Sequence, residues 1–196
     1  MPLFICSINS GSNGNCYYVG NDNEAVLIDV GISCRETEKR MKSVGLSMSK
    51  VRAVFISHEH TDHITGVPVL ARKYNLPVYF TEETYRLSEL EIESYRVFKA
   101  GSPVIIGELS VCAFGKNHDA CDPHSFIVSS SSVKIGIFTD IGRVCDNLVY
   151  YFKQCHAAFL EANYDEEMLE KGRYPYYLKK RIRGGKGLLS NAEALQ

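Results

Sequence analysis

The stretch VRAVFISHEHTDH, residues 51–63, decides how the chain is read. Its first seven residues are rich enough in valine, isoleucine and phenylalanine to form a buried strand. The last six hold His58, His60, Asp62 and His63, all side chains of metal-binding type, where that strand leaves its sheet. In an extended segment alternate side chains share a face, so His58 and His60 can grip one ion while the following turn swings Asp62 and His63 toward a second. Imidazole and carboxylate donors without thiolate favour Zn²⁺ and also serve Mn²⁺ or Fe²⁺, so the expected cofactors are two divalent ions. The competing reading is a chance surface cluster. It fits poorly with three of the chain's six histidines standing together at one strand edge.

Around this motif the composition is that of an ordinary globular protein. A chain of 196 residues with 45% hydrophobic content can bury the core of one domain, spanning 1–196. The formal charge of −1 creates no general field toward a polyanion or a membrane, so any contact with nucleic acid must come from a local basic patch. MPLFICSINSGSNGN, at the N-terminus, has no basic opening and turns polar after six residues. Nowhere do eighteen apolar residues run together, and the expected location is cytoplasmic, without membrane contact. The seven cysteines are scattered with no C-x-x-C pair, a pattern expected of reduced thiols.

Short apolar segments alternate with turn signals along the chain. LFICSI, CYYV, AVLIDV, RAVFIS, PVYFT, LSVCAF, SFIVSS, VKIGIFTD and AAFLEAN have strand length and composition. CRETEKRMKSVG, VPVLARKYN, GRVCDNLVYYFKQ and YDEEMLEKG read as helices. Links as short as GNDNE and SSSS predict hairpins, and hence an antiparallel component beside any βαβ units. Sheets covered by helices, an α/β (α+β) arrangement, are expected.

HEHTDH matches the H-x-H-x-D-H signature of the metallo-β-lactamase superfamily, and further landmarks follow in order: LIDVG at 27–31, His118 in KNHDA and Asp140 in FTDIG. Across nearly the whole chain, SGSNGNCYYV, KNHDACDP, LEANYDEEML, GRYPYYLKKRI and GLLSN resemble the YycJ/WalJ/VicX group of that superfamily. The resemblance implies an αββα sandwich, here lacking the family's C-terminal part, with a dinuclear metal site at one edge. It implies that His58, His60 and His118 bind the first metal, Asp62 and His63 the second, and Asp140 both. Asp29 would hydrogen-bond a ligand from behind. Members of the group place a last histidine of the second site in an H-L-S-type segment downstream, and have G-H-L-S-N where this chain has Leu188, so an incomplete second site is expected. His124 and His156 read as a loop and a strand-edge histidine rather than replacements.

Two cations so held activate water and clamp the oxygen on which charge builds, with Asp62 as the catalytic carboxylate that holds the attacking hydroxide. The group is associated with nuclease activity, so the expected function is a metal-dependent nuclease or phosphodiesterase of exonuclease type, with nucleic acid as the partner. RYPYYLKKRIRGGKG places Lys179, Lys180 and Arg181 among tyrosines, a mixture that can pair phosphates and stack bases. The same run can also be a solvated helix with its tyrosines in the core. Ser12 and Asn15, in a Gly/Asn-rich turn, approach the site by resemblance alone. Two alternatives use the same cage: a hydrolase of small esters, thioesters or lactams, and a nucleic-acid-binding remnant with impaired catalysis.

Overall fold

The computed structural model describes residues 2–195. Two sheets stack face to face. The first holds β1 (Phe4–Asn9), β2 (Cys16–Gly20), β3 (Ala25–Ile28), β4 (Val51–Phe55), β5 (Val78–Phe80) and β6 (Tyr95–Val97), side by side in sequence order. The second holds β7 (Val104–Ile106), β8 (Leu109–Gly115), β9 (His124–Ser130), β10 (Val133–Phe138) and β11 (Ala157–Leu160), in the order β11-β10-β9-β8-β7.

Connection length sets strand direction. The short links produce the antiparallel pairs β1–β2, β2–β3, β7–β8, β8–β9 and β9–β10. The parallel pairs each need a crossover. Helix α1 (Cys34–Ser43) supplies it between β3 and β4. After β4 come the single turn α2 (Thr61–Ile64) and then α3 (Val67–Tyr74), which leads to β5; α4 (Glu82–Ser88) leads on to β6. On the second sheet α5 (Asp146–Phe152) joins β10 to β11. Beyond β11 lie α6 (Glu166–Lys171), α7 (Tyr176–Ile182) and α8 (Asn191–Ala194). The α1 sequence explains its own limits: Ser33 caps it by accepting from the Glu36 amide, and Cys34, Thr37 and Met41 fall on one buried stripe.

β2, β3 and β4 are buried on both faces, with alternate residues entering different cores. Tyr17, Val19, Val26, Ile28 and Phe55 point between the sheets and meet Phe126, Val128, Ile135 and Ile137. Tyr18, Leu27, Val54 and Ile56 point outward and are covered by Met41 of α1 and Leu70 of α3. On the far side of the second sheet, Phe114, Ile127 and Phe138 are covered by Leu148 of α5 and by Leu189. The result is the expected αββα order of layers.

Three features depart from the sequence reading. β6 and β7 went unseen because they are edge strands of three residues, and β6 buries none of its side chains. RYPYYLKKRI, for which two readings stood open, becomes a helix with no buried residue, so Tyr176 and Tyr177 lie in solvent and not in the core that the second of those readings gave them. α4 and α8 were also not anticipated. No helix is long and apolar enough to cross a membrane among the described residues. All seven cysteines are free.

Candidate metal centre

The H-x-H-x-D-H loop begins where β4 runs out of partners, and backbone bonds fix its path. The Asn15 amide donates to the Asp62 carbonyl at 2.7 Å, Val30 to His63 at 2.9 Å and Gly66 to Val30 at 2.8 Å. The loop is thereby fastened to the chain after β3 and to the N-terminal Gly/Asn turn. Gly31 makes the close approach possible, since a Cβ there would strike the Asp62 carbonyl.

Asp29 sits beneath this loop, fully buried and at a positive φ of 60°. Its Oδ1 accepts from the Ser57 amide at 2.8 Å, and its Oδ2 accepts from Ser57 Oγ and His63 Nδ1, each at 2.8 Å. A carboxylate can only accept, so His63 carries its proton on Nδ1 and turns Nε2 toward the cavity. Ser57 Oγ also lies 2.8 Å from His58 Nδ1. Strain in the Asp29 backbone is therefore held by three hydrogen bonds that orient ligands, a common arrangement at functional sites.

The donor atoms fall into two sets. His58, His60 and His118 bring one nitrogen each within 4.8 Å of one another, and His58, His63 and Asp140 form a second set of the same size. His118 arrives from the loop between β8 and β9; its Nδ1 donates to the Gly187 carbonyl at 3.1 Å, and its Nε2 is buried without a hydrogen-bond partner. Asp140, just past β10 and at φ 50°, places Oδ2 3.1 Å from His63 Nε2. Asp62 belongs to neither set. Its Oδ2 lies 3.3 Å from Asn15 Nδ2 and 3.7 Å from His63 Nε2, and its side chain is 30% exposed toward the cavity.

The local field suits cation binding. Burial, with His63 next, holds His58 well below the usual imidazole range, and burial together with the Lys116 ammonium brings His118 down to about 4. Both are neutral ligands at pH 7. For His63, burial opposes the charged form, but Asp29 and Asp140 outweigh it and push the pKa up to about 10. Burial would raise Asp140, yet the His63 hydrogen bond and the positive charges nearby hold it below the ordinary carboxylate range. An unpartnered, buried, neutral nitrogen facing two more imidazoles is what a divalent cation requires, so the residues present fit the group.

Several supporting residues carried no sequence signal beyond their type. Glu59 Oε1 accepts from the Cys121 amide at 2.9 Å, tying the ligand loop to the His118 loop. Lys116 Nζ donates to the Thr139 carbonyl at 2.6 Å. Glu161, buried and raised to about 8 by burial and by Asp140, accepts from the Ile141 amide and from Asn163 Nδ2. His124 opens β9 with Nδ1 2.9 Å from the Asp122 carbonyl and its ring against Phe98, a satisfied packing role. His156 is exposed at the head of β11, its Nδ1 accepting from the Lys134 amide.

A cavity of about 990 Å³ opens above the donors. Ser12, Asn15, His60, Asp62, His118 and Arg181 are among its lining residues. Arg181 Nε donates to Asp119, next to His118. Lys179 donates to the Glu170 carbonyl, and Lys180 points to solvent.

A two-sheet sandwich with histidine and aspartate donors gathered from strand ends at one edge is the architecture of a metal-dependent hydrolase. The chain belongs to the metallo-beta-lactamase superfamily, whose family model matches residues 10–142. It is 37% identical to the exodeoxyribonuclease YycJ of Bacillus anthracis over 199 aligned positions, covering 99% of this chain and 75% of that protein. To the exodeoxyribonuclease WalJ of Streptococcus pneumoniae it is 31% identical, covering 95% of this chain and 72% of the relative. Among solved structures, the metallo-beta-lactamase fold protein YhfI of Bacillus subtilis superposes with a TM-score of 0.68 at 16% identity, over 84% of this chain and 73% of that one. Divalent metal binding follows from the family and the clustered donors together.

Proposed function

We propose that the chain is a nuclease that hydrolyses phosphodiester bonds from the end of a nucleic-acid strand, using two divalent cations, one held by His58, His60 and His118 and the second by His63 and Asp140. The observation that carries this reading is the pair of donor sets joined at His58, in a chain aligned almost end to end with proteins named exodeoxyribonucleases. Zinc is the ion that an imidazole-rich set favours. When bound, two such cations supply an acidified water and a clamp for charge developing on the phosphate.

The chain's own groups do the remainder. Asp62, steadied by Asn15 and open to the cavity, orients the attacking water. Asp29 fixes His63, and Ser57 fixes His58, so that each ring presents Nε2. Lys179, Lys180 and Arg181 supply phosphate contacts, and Ser12 lines the same cavity as Arg181. Purified protein with Zn²⁺ or Mn²⁺ should release nucleotides from 5′-phosphorylated single- or double-stranded DNA or RNA. Turnover of a chromogenic ester or lactam with no cleavage of any nucleic acid would replace this reading with a small-molecule hydrolase.

A further inference from the structure

Tyr174, Tyr176 and Tyr177 expose 56%, 72% and 73% of their surface, within four residues of one another. Tyrosines this open contribute little to the core. The surrounding run, residues 171–186, contains seven Lys and Arg and no Asp or Glu. Some of those cations are already engaged: Lys171 with Glu167, Arg181 with Asp119 and Arg183 with Glu170. Arg173, Lys180 and Lys186 have no carboxylate partner among the described residues. On α7, Lys180 follows Tyr176 by four residues and Tyr177 by three, which places it beside both rings on one helix surface. Tyr174 and Arg181 also line the cavity that contains His60, Asp62 and His118. An aromatic and cationic strip thus runs from open solvent into the metal centre.

We propose that Tyr176 and Tyr177, with Tyr174 at the rim, are a stacking platform for unpaired bases of the strand entering the cavity, and that Arg173 and Lys180 hold its phosphates. This rests on the nuclease reading and adds the form of the substrate: a single-stranded or frayed end rather than a blunt duplex. A base within a duplex has both faces covered by its neighbours, whereas an unpaired terminal base offers a face to a tyrosine. The charge of the strip selects a polyanion. A second copy of the chain docking here about a two-fold axis would set cations against cations.

The test uses the full chain in EDTA, so that binding is read without cleavage. Fluorescence anisotropy would follow a 5′-phosphorylated single-stranded oligodeoxynucleotide and its blunt duplex, and a terminal 2-aminopurine would report stacking by quenching. Wild type should bind the single strand more tightly than the duplex. Tyr176→Leu/Tyr177→Leu should weaken single-strand binding by about tenfold per ring, abolish the quenching and leave duplex binding unchanged. Tyr176→Phe/Tyr177→Phe should retain both affinity and quenching. If the leucine variant binds single strands as wild type does while the metal-loaded chain still degrades DNA, the platform is wrong and the nuclease reading stands. If wild type neither binds nor cleaves any nucleic acid, both fall. A change in sedimentation of the leucine variant without a change in DNA affinity would assign the strip to self-association and overturn the proposal.

Discussion

His58 stands in both donor sets, and the Ser57 hydroxyl 2.8 Å from its Nδ1 leaves only Nε2, whose single lone pair can hold one ion, with His60 and His118 beside it. Replacing it with alanine should therefore empty the set of His58, His60 and His118 in elemental analysis, whereas His63→Ala should leave that set loaded. Equal losses in the two variants would contradict this division of the ligands. Asp62 lies outside both sets, so Asp62→Asn should keep most of the metal and lose hydrolysis by on the order of a hundredfold or more; parallel loss of metal would make it a ligand instead. His63 also sets a pH dependence for chelator-treated protein. Its folded pKa of about 10 lies above the ordinary 6.5, so its contribution to stability is full below pH 6.5 and is lost as pH rises through 10. Glu161, about 8 against an ordinary 4.5, keeps a proton that the unfolded chain has released, so it too lowers stability as pH rises from 4.5 to 8. The melting temperature of the metal-free protein should fall between pH 6.5 and 10, and a flat profile would show that His63 carries no second proton. At this scale the sequence was readable where donors are adjacent, as in HEHTDH. Asp29, His118 and Asp140 needed the resemblance to be found. Ser57, Glu59 and Glu161 were silent, because their roles arise from bonds across 28, 62 and 20 residues.

Elements were legible in proportion to their burial. β2 through β4 fill two cores at once and read as apolar runs, and α1 was read as a helix from CRETEKRMKSVG. β6 and β7 bury too little to leave a pattern, and α7 packs no buried side chain, so its tyrosines could not be assigned to core or surface from spacing alone. The connection after β3 gives a sharp test of how elements position the site. Gly31→Ala would drive a methyl group into the Asp62 carbonyl, and backbone on both sides leaves little room to yield. A destabilisation of about 1–3 kcal/mol in denaturant unfolding, together with weaker metal binding, is expected. Normal metal affinity in a stably folded Gly31→Ala protein would show that the loop tolerates a different path.

The whole molecule is two sheets joined by an apolar layer in which Phe55 meets Tyr79 at 4.6 Å and Phe126 at 5.9 Å. Phe126→Ala should cost about 3–5 kcal/mol in denaturant unfolding while leaving every donor in place. Alternating segments and short links foretold helix-covered sheets with an antiparallel part, and the sandwich came from the family resemblance, but the split of the donors between its halves was not foreseen. His58, His60 and His63 belong to the end of the first sheet, and His118 and Asp140 to the second. A cation bound by either donor set would therefore take ligands from both halves and act as a rivet across the sandwich. Hydrogen exchange should register this directly: with chelator present the amides of the two sheets can open as separate units, and on metal loading they should slow together, by a common factor of 1 + [metal]/Kd.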